Sequence, residues 1–462
     1  MAVSNLNLKK ITELCRAGNV RELTALMLHE VYENGAYSNL VLKKCDHVRE
    51  FAGSTSRAVR AMLYGTVTYT YSIDFIVKHI AHRDLNDLEA FPRTLIRLGS
   101  WQILFSDTPA FAAVSETVDI ADKYCPRAKG LVNAILRRVA EAGEDEKDPD
   151  SYRPDVACAL PSELYGILKR DYGKDRALAI GKAFLKTPSL TVRYDPSRIT
   201  AEELTARLTE ESFTVSSGSF LDEVLTVGSG NTTIENSKAY QEGLFIVQNE
   251  AAALASVVAS PKEGDRILDC CAAPGGKTTH LAEITHHKSE ILALDSSMSR
   301  LELLNENLRR LKIDNVRTMV ADSTDLSSVD GEFDLVLCDA PCSGLGIIGR
   351  KPDIRLNMTY EKISSIADVQ RLILDQAASK VVKGGTLIYC TCTINKDENE
   401  RRVDEFLKSH GDFKAVSLMP FLPEHIIMDE DRQSGAKQDH ITLLPDVDGC
   451  DGFFIARLER SI

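Results

Sequence analysis

Six cysteines in the C-terminal half of the chain fall as three close pairs: Cys270 with Cys271, Cys338 with Cys342, and Cys390 with Cys392. Thiolates are nucleophiles and metal ligands. Zinc held by four thiolates is disfavoured, because Cys-Cys and Cys-x-Cys inside strands either oppose their side chains or leave too little slack, and no Cys-x-x-Cys knuckle occurs. No metal is therefore expected. By the strand period of two, Cys390 and Cys392 share one face with Thr391 opposite. Cys15, Cys45, Cys125, Cys158 and Cys450 read as packing residues. Next to the thiols come Asp295, Asp322 and Asp339, and after Cys271 a Gly-rich turn, Ala-Ala-Pro-Gly-Gly-Lys-Thr. Gly275 and Gly276 permit close backbone approach to a ligand at a helix N-terminus. Asp295 follows at a spacing, about 20 residues, from which a carboxylate bonds a ribose diol. A Walker A loop would need glycine where Cys271 stands. Each feature also has an ordinary reading, the glycines as a plain strand-to-helix turn and the aspartates as helix caps.

The elements that must position these residues are short apolar runs alternating with amphipathic segments beyond residue 240: RILDCCA, EILALD, VRTMVAD, FDLVLCDAP and GTLIYCTC. Such alternation predicts a doubly wound α/β domain over 241–462, with ligands at the carboxyl ends of the strands. HITLLP and GFFIARL are expected as antiparallel edge strands. Residues 156–240 read as a small α+β module with Gly/Ser/Thr turns around GSGNTT. Residues 143–155, charged and containing two prolines, read as a linker. Up to 142 the pattern is helical: Leu95, Leu98, Trp101, Leu104 and Phe105 recur at helical spacing, as do Leu131, Val132, Ile135, Leu136 and Val139.

At 462 residues, two to four domains of about 100–200 residues are expected. With 44% hydrophobic and 27% charged residues the composition is globular. No apolar run approaches the roughly 18 residues of a membrane span, and MAVSNLNLKK lacks a signal-peptide stretch, so a soluble cytoplasmic protein is expected. Eleven cysteines in such a chain do not form a disulfide framework. The net charge of -13 repels polyanions, so nucleic acid would require a local basic face. Arg350, Lys351 and Arg355, on a loop just past Cys342, supply one and are expected to touch an RNA backbone. The helix-borne Arg137, Arg138, Lys169, Arg170, Arg309, Arg310 and Lys312 read as solvated faces. Ser343-Gly344-Leu345-Gly346 is expected to let the loop close over substrate.

DCCAAPGGKTTHLAE, LALD, VADSTDL, DLVLCDAPCSGLGIIGRKPDIR and GTLIYCTCTINKDENE, in this order, resemble the RNA 5-methylcytosine methyltransferases. RLGSWQILFSDTPAFAAVSETVDIADKYCPRAKGLVNAILRRV resembles the NusB-like helical RNA-binding domain, and the fusion is similar to bacterial 16S ribosomal RNA cytosine-5 methyltransferases. The resemblance implies three parts: an all-α NusB-like domain over 1–142, the α+β module as RNA-binding, and a Rossmann-like domain using S-adenosylmethionine. It assigns Cys271, Ala272, Ala273, Pro274, Gly275, Gly276 and Lys277 to the cofactor loop, Asp295 to the ribose and Asp322 to the adenine. Asp339 becomes the acid beside the methyl group and the cytosine. Cys392 becomes the nucleophile, and Cys342 the thiol that assists release. Cys390 and Thr393 stand where serine is usual, which opens an ambiguity between Cys390 and Cys392, and Asn249 stands where aspartate is usual. The implied partner is 16S ribosomal RNA or a small-subunit assembly intermediate, with a monomer as the default state. A transfer-RNA cytosine as target and a non-catalytic assembly factor are the competing readings. An adenine-amino methyltransferase would carry an Asn-Pro-Pro-Tyr-like segment where Asp339-Ala-Pro-Cys342 stands.

Overall fold

The computed structural model describes residues 6–45, 48–228, 230, 232–423, 426 and 430–462. Ser229 and Asn231 of the GSGNTT stretch, and residues 1–5, lie outside them. The chain forms two compact units, Met1–Lys186 with Lys351–Thr359, and Thr187–Arg350 with Tyr360–Ile462.

The first unit is helical, with long helices at Val20–Asn34, Gly53–Thr68, Thr70–Ala81, Ala90–Phe105, Ala110–Tyr124 and Lys129–Glu141. The helical spacing marks their inner faces: Leu95, Leu98, Trp101, Val132, Ile135, Leu136 and Val139 are buried in one apolar core, with Leu104, Phe105 and Leu131 packed at its margin. Residues 143–155 do not form an extended linker. They turn through Glu144–Lys147, Pro149–Ser151 and Pro154–Ala157, because their polar side chains bond locally. Glu146 accepts from the Gly143 N–H at 3.0 Å, and Asp148 from the Asp150 N–H at 2.9 Å. The helices Ser162–Tyr172 and Lys174–Ala183 also belong to the first unit, so the α+β module begins near 187 rather than 156. Ser72 Oγ donates to the Val156 carbonyl at 2.6 Å, tying this stretch to the bundle.

The second unit has two sheets. β1 (Leu190–Tyr194), β2 (Val215–Ser217), β3 (Val224–Val227) and β4 (Phe245–Val247) form an antiparallel sheet in the order β2-β3-β1-β4. β5 (Arg266–Asp269), β6 (Glu290–Asp295), β7 (Val316–Val320), β8 (Phe333–Asp339) and β9 (Val381–Thr391) pair in parallel. β10 (Phe413–Ala415), β11 (His440–Leu443) and β12 (Phe453–Arg460) complete the eight-stranded sheet, in the order β10-β12-β9-β8-β5-β6-β7 with β11 on β12. β12 is an interior strand rather than the expected edge: it runs antiparallel to β9, and β10 and β11 share its outer side. Its apolar side chains require this, since Phe454, Ile455, Ala456 and Leu458 are all fully buried. Successive residues serve opposite layers, Ile267, Leu337 and Cys390 on one face and Leu268, Cys338 and Tyr389 on the other. The strand order reverses at β5, which lies between β6 and β8, so the ligand crevice falls at the ends of these strands.

Candidate active site

β5 delivers Asp269, and the turn beyond it feeds the helix Gly276–Ile284. Gly275 has φ +106°, and a Cβ there would stand 2.2 Å from Leu304 Cδ1, so only glycine fits both the backbone and the packing. The helix Met298–Leu311 holds the turn from outside: Arg300 donates to the Ala273 carbonyl at 2.6 Å and Asn307 to that of Pro274 at 3.1 Å. A cavity of about 210 Å³ opens here, walled by Asp269, Cys271, Ala272, Ala273, Pro274, Gly276, Lys277 and Asp339. Tyr240, Gln248 and Asn307 complete the polar part of its wall. Sequence reasoning missed these three, and it missed Asp269.

Asp269 is buried and accepts from Thr278 Oγ1 at 2.7 Å. Burial pushes its carboxyl up to about 7 against the pull of that hydroxyl. Asp269 is marked in the sequence as the residue that ends the apolar part of RILDCCA. Lys277 spans the crevice to Asp339, Nζ to Oδ2 at 2.6 Å, and lies 5.0 Å from the Phe453 ring centre. Burial works against the Lys277 ammonium, but Asp339 beside it prevails and lifts it above its ordinary value.

Asp295 is buried at the end of β6, its Oδ1 accepting from the Ser297 N–H at 3.0 Å. Arg300 lies 3.1 Å from its Oδ2, which accepts no hydrogen bond among the described residues. Asp322 is exposed and accepts from the N–H and hydroxyl of Thr324 at 2.9 and 2.8 Å, closing its own turn. The Ala321 N–H donates to the Asp295 carbonyl at 3.2 Å, which sets the two strand ends side by side.

The β8–β9 ladder continues past the strands. Asp339 pairs with Cys390, the Ala340 N–H donates to the Cys390 carbonyl at 3.0 Å, and the Gly346 N–H to that of Cys392 at 3.0 Å. This brings Cys342 Sγ to 3.3 Å from Cys392 Sγ. The hydrogen bond to Cys392, followed by burial, holds the Cys342 thiol well above its ordinary range. Cys390 is fully buried within the strand, its Sγ 3.7 Å from Asp339 Oδ1, whereas Cys392 is half-buried. Cys270 and Cys338 are buried in the layer on the opposite face.

The basic loop departs from expectation. Arg350 pairs with Asp451 at 2.5 Å and donates to the Ser189 carbonyl at 2.7 Å, and Lys351 is exposed. Arg355 is fully buried in the first unit, donating to the Phe184 carbonyl at 3.0 Å, and burial lowers its guanidinium to about 10. It is unavailable to an RNA backbone. Asp353 anchors the same segment, accepting from the Ser38 N–H and hydroxyl at 3.0 and 2.6 Å. Arg310 is likewise not a free surface cation: half-buried, it donates to the carbonyls of Tyr240 and Phe245 and stacks on the Tyr240 ring at 3.7 Å. Nor is Ser343 to Gly346 a loose lid. Ser343 and Leu345 are buried, and a Cβ on Gly346 would stand 2.1 Å from the Gly452 carbonyl oxygen.

Residues 256–459 match the family described as 16S rRNA methyltransferase RsmB/F, and residues 18–141 match the NusB family. The probable ribosomal RNA small subunit methyltransferase B of Bacillus subtilis is 30% identical over 451 residues, covering 96% of this chain and 99% of that protein. The chain belongs to the RsmB/F methyltransferase family. The Vibrio cholerae ribosomal RNA small subunit methyltransferase B is also 30% identical, over 96% of this chain and 98% of its own length. Among solved structures, PH0851 matches with a TM-score of 0.76 and 28% identity, covering 95% of this chain and 97% of its own. NSun6 from Pyrococcus horikoshii, crystallised with SFG, matches at TM-score 0.58 and 24% identity over 65% of this chain and 98% of its own. The helical unit is thus a NusB-type domain, the larger sheet a Rossmann-like methyltransferase, and the family's cofactor is S-adenosylmethionine.

The crevice fits that cofactor. A ribose diol brings donors, and at the end of β6, outside the wall of the cavity itself, Asp295 Oδ2 is a buried carboxylate oxygen with acceptor capacity to spare. A sulfonium and an ammonium bring positive charge, and Asp269 and Asp339 put carboxyl groups in the cavity wall. Among the described residues, no three His, Cys, Asp or Glu side chains gather as metal ligands, and no helix is long and apolar enough to cross a membrane.

Proposed function

We propose that the chain methylates carbon 5 of a cytosine in small-subunit ribosomal RNA, through a transient bond from Cys392 to carbon 6 of the base. The 3.3 Å contact between Cys342 and Cys392 at the ends of β8 and β9 carries this reading. One thiol suffices for addition; a second in contact with it serves a reaction in which a ring proton must leave before the first can depart. Cys392 is the nucleophile, since it is half-buried just past the end of β9 whereas Cys390 is fully buried within that strand.

S-adenosylmethionine supplies an electrophilic methyl group. The Cys392 sulfur adds to carbon 6, and the electron pair displaced toward carbon 5 makes that carbon nucleophilic. A proton placed on ring nitrogen 3 neutralises the negative charge that thiolate addition develops there, and Asp339, which Lys277 holds, is the group that carries it. After methylation Cys342, its own proton released to solvent, takes the carbon 5 proton, the carbon 5–carbon 6 double bond re-forms, and Cys392 leaves as a thiolate. The chief cause of the raised Cys342 value is its hydrogen bond to Cys392. The cofactor loop is Cys271 to Lys277, with Asp295 at the ribose and Asp322 at the adenine end. The base must leave its stack, which favours a loop or bulge in the RNA or in an assembly intermediate. Lys351 is the exposed cation of the basic loop for a phosphate contact.

The test supplies labelled S-adenosylmethionine and unmethylated small-subunit RNA, then identifies the labelled nucleoside after nuclease digestion. The expected product is 5-methylcytidine, absent with Cys392→Ala. A methylated adenosine, an N4-methylated cytidine or full activity of Cys392→Ala would overturn the reading.

A further inference from the structure

The two cysteine loops also meet at a buried carboxylate that takes no part in the chemistry above. Glu398 is fully buried, and its oxygens gather both loops. Oε1 accepts from the Ser343 N–H at 2.8 Å and from Gln370 Nε2 at 3.1 Å. Oε2 accepts from Ser343 Oγ at 2.5 Å, Asn395 Nδ2 at 2.9 Å and Thr393 Oγ1 at 3.4 Å. Ser343 follows Cys342 in the chain, and Thr393 follows Cys392, so one side chain grips the neighbour of each thiol. Gln370 extends the grip by donating to the carbonyl of Pro341, the residue before Cys342, at 2.9 Å. The glutamate is itself fixed, since Tyr389 Oη donates to its backbone carbonyl at 2.7 Å. Donors converge on both of its oxygens, which calls for an acceptor-only group; a glutamine amide would turn an NH₂ toward donors.

We infer that Glu398 is a positioning residue that locks the Cys342 and Cys392 loops in register, keeping the two sulfurs in contact through adduct formation and release. The inference rests on the thiol-pair reading above. Its consequence is a dependence of the sulfur-to-sulfur geometry on a side chain that never reaches the substrate.

The test compares full-length wild type with Glu398→Gln and the milder Ser343→Ala. Three quantities are measured: the Kd for S-adenosylmethionine by calorimetry, kcat and KM for RNA methylation, and the rate at which diamide joins Cys342 to Cys392. In that oxidation diamide takes up the two thiol hydrogens and is reduced to the hydrazine as the S–S bond forms, and peptide mass reports the link. A displaced catalytic group costs up to about a hundredfold, so Glu398→Gln should lower kcat at least about tenfold and slow the disulfide comparably. KM for RNA and Kd for the cofactor should stay within about twofold, and Ser343→Ala should slow the disulfide by about threefold. An unchanged disulfide rate in both variants, or a loss of cofactor binding that parallels the loss of kcat, would overturn the inference. The diamide rate involves no RNA, so it judges Glu398 even if Cys392→Ala proves active and the cytosine reading falls.

Discussion

Arg193 and Glu398 are both fully buried charged side chains that tie distant segments together, one at each end of the site, yet they are compensated differently. Arg193 reaches from β1 to the helix Gly276–Ile284, which the proposed cofactor loop feeds. It donates to the Gly276 carbonyl at 2.8 Å and Thr279 Oγ1 at 3.1 Å, bonds Gln248 Oε1, and pairs with Glu283 at 2.8 Å. Glu398 draws its bonds from neutral hydroxyl, amide and backbone donors. The end at the proposed cofactor loop is thus held by an ion pair, so losing one partner strands a charge with little solvent around it. The thiol end is held by oriented dipoles, so losing one loosens geometry at smaller energetic cost.

The largest effect expected from this contrast is at Arg193. Arg193→Met leaves the Glu283 side chain, 9% exposed, without its cation and should cost about 3–5 kcal/mol in urea unfolding, and a loss below about 1 kcal/mol would erase the distinction. Arg355 extends it to the helical unit, where a buried guanidinium bonds the Phe184 carbonyl. Arg355→Met should cost about 1–3 kcal/mol of stability and leave the salt dependence of RNA binding unchanged. Asp269, between the two ends, sharpens the comparison through pH. Its folded value is raised from 3.8 to about 7, so in that window the native state holds a proton the unfolded chain has released, and stability falls as pH rises. Asp269→Asn should flatten that fall by up to about 1.4 kcal/mol per pH unit, measured by urea unfolding across the window, and parallel curves would contradict it. The smallest effect is at Lys351, where Lys351→Ala should reduce the slope of log affinity against log salt by about 1.

The parallel strands were legible because each is an apolar run ending at a polar residue, and the switch-point rule then picked out their ends. The interior place of β12 was not, since GFFIARL reads alike at an edge or inside, and its outer side is covered by β11 together with β10, a strand of only Phe413–Ala415. At the site, the thiol pair and the cofactor turn were visible as motifs. Glu398 was not, because NKDENE looks like a solvated charged loop and the Ser343 that donates to it lies 55 residues away. Arg355 misled for the same reason: a cation beside a reactive loop has the composition of an RNA contact, and only the fold places it in the helical unit.

The central claim, a covalent route through two thiols in contact, is met most directly by trapping. Cys342→Ala incubated with S-adenosylmethionine and unmethylated small-subunit RNA should accumulate a slow-migrating protein–RNA complex that survives denaturation, and Cys342→Ala combined with Cys392→Ala should form none. No complex in the single variant, or one that persists in the double variant, would contradict the assignment of addition to Cys392 and release to Cys342.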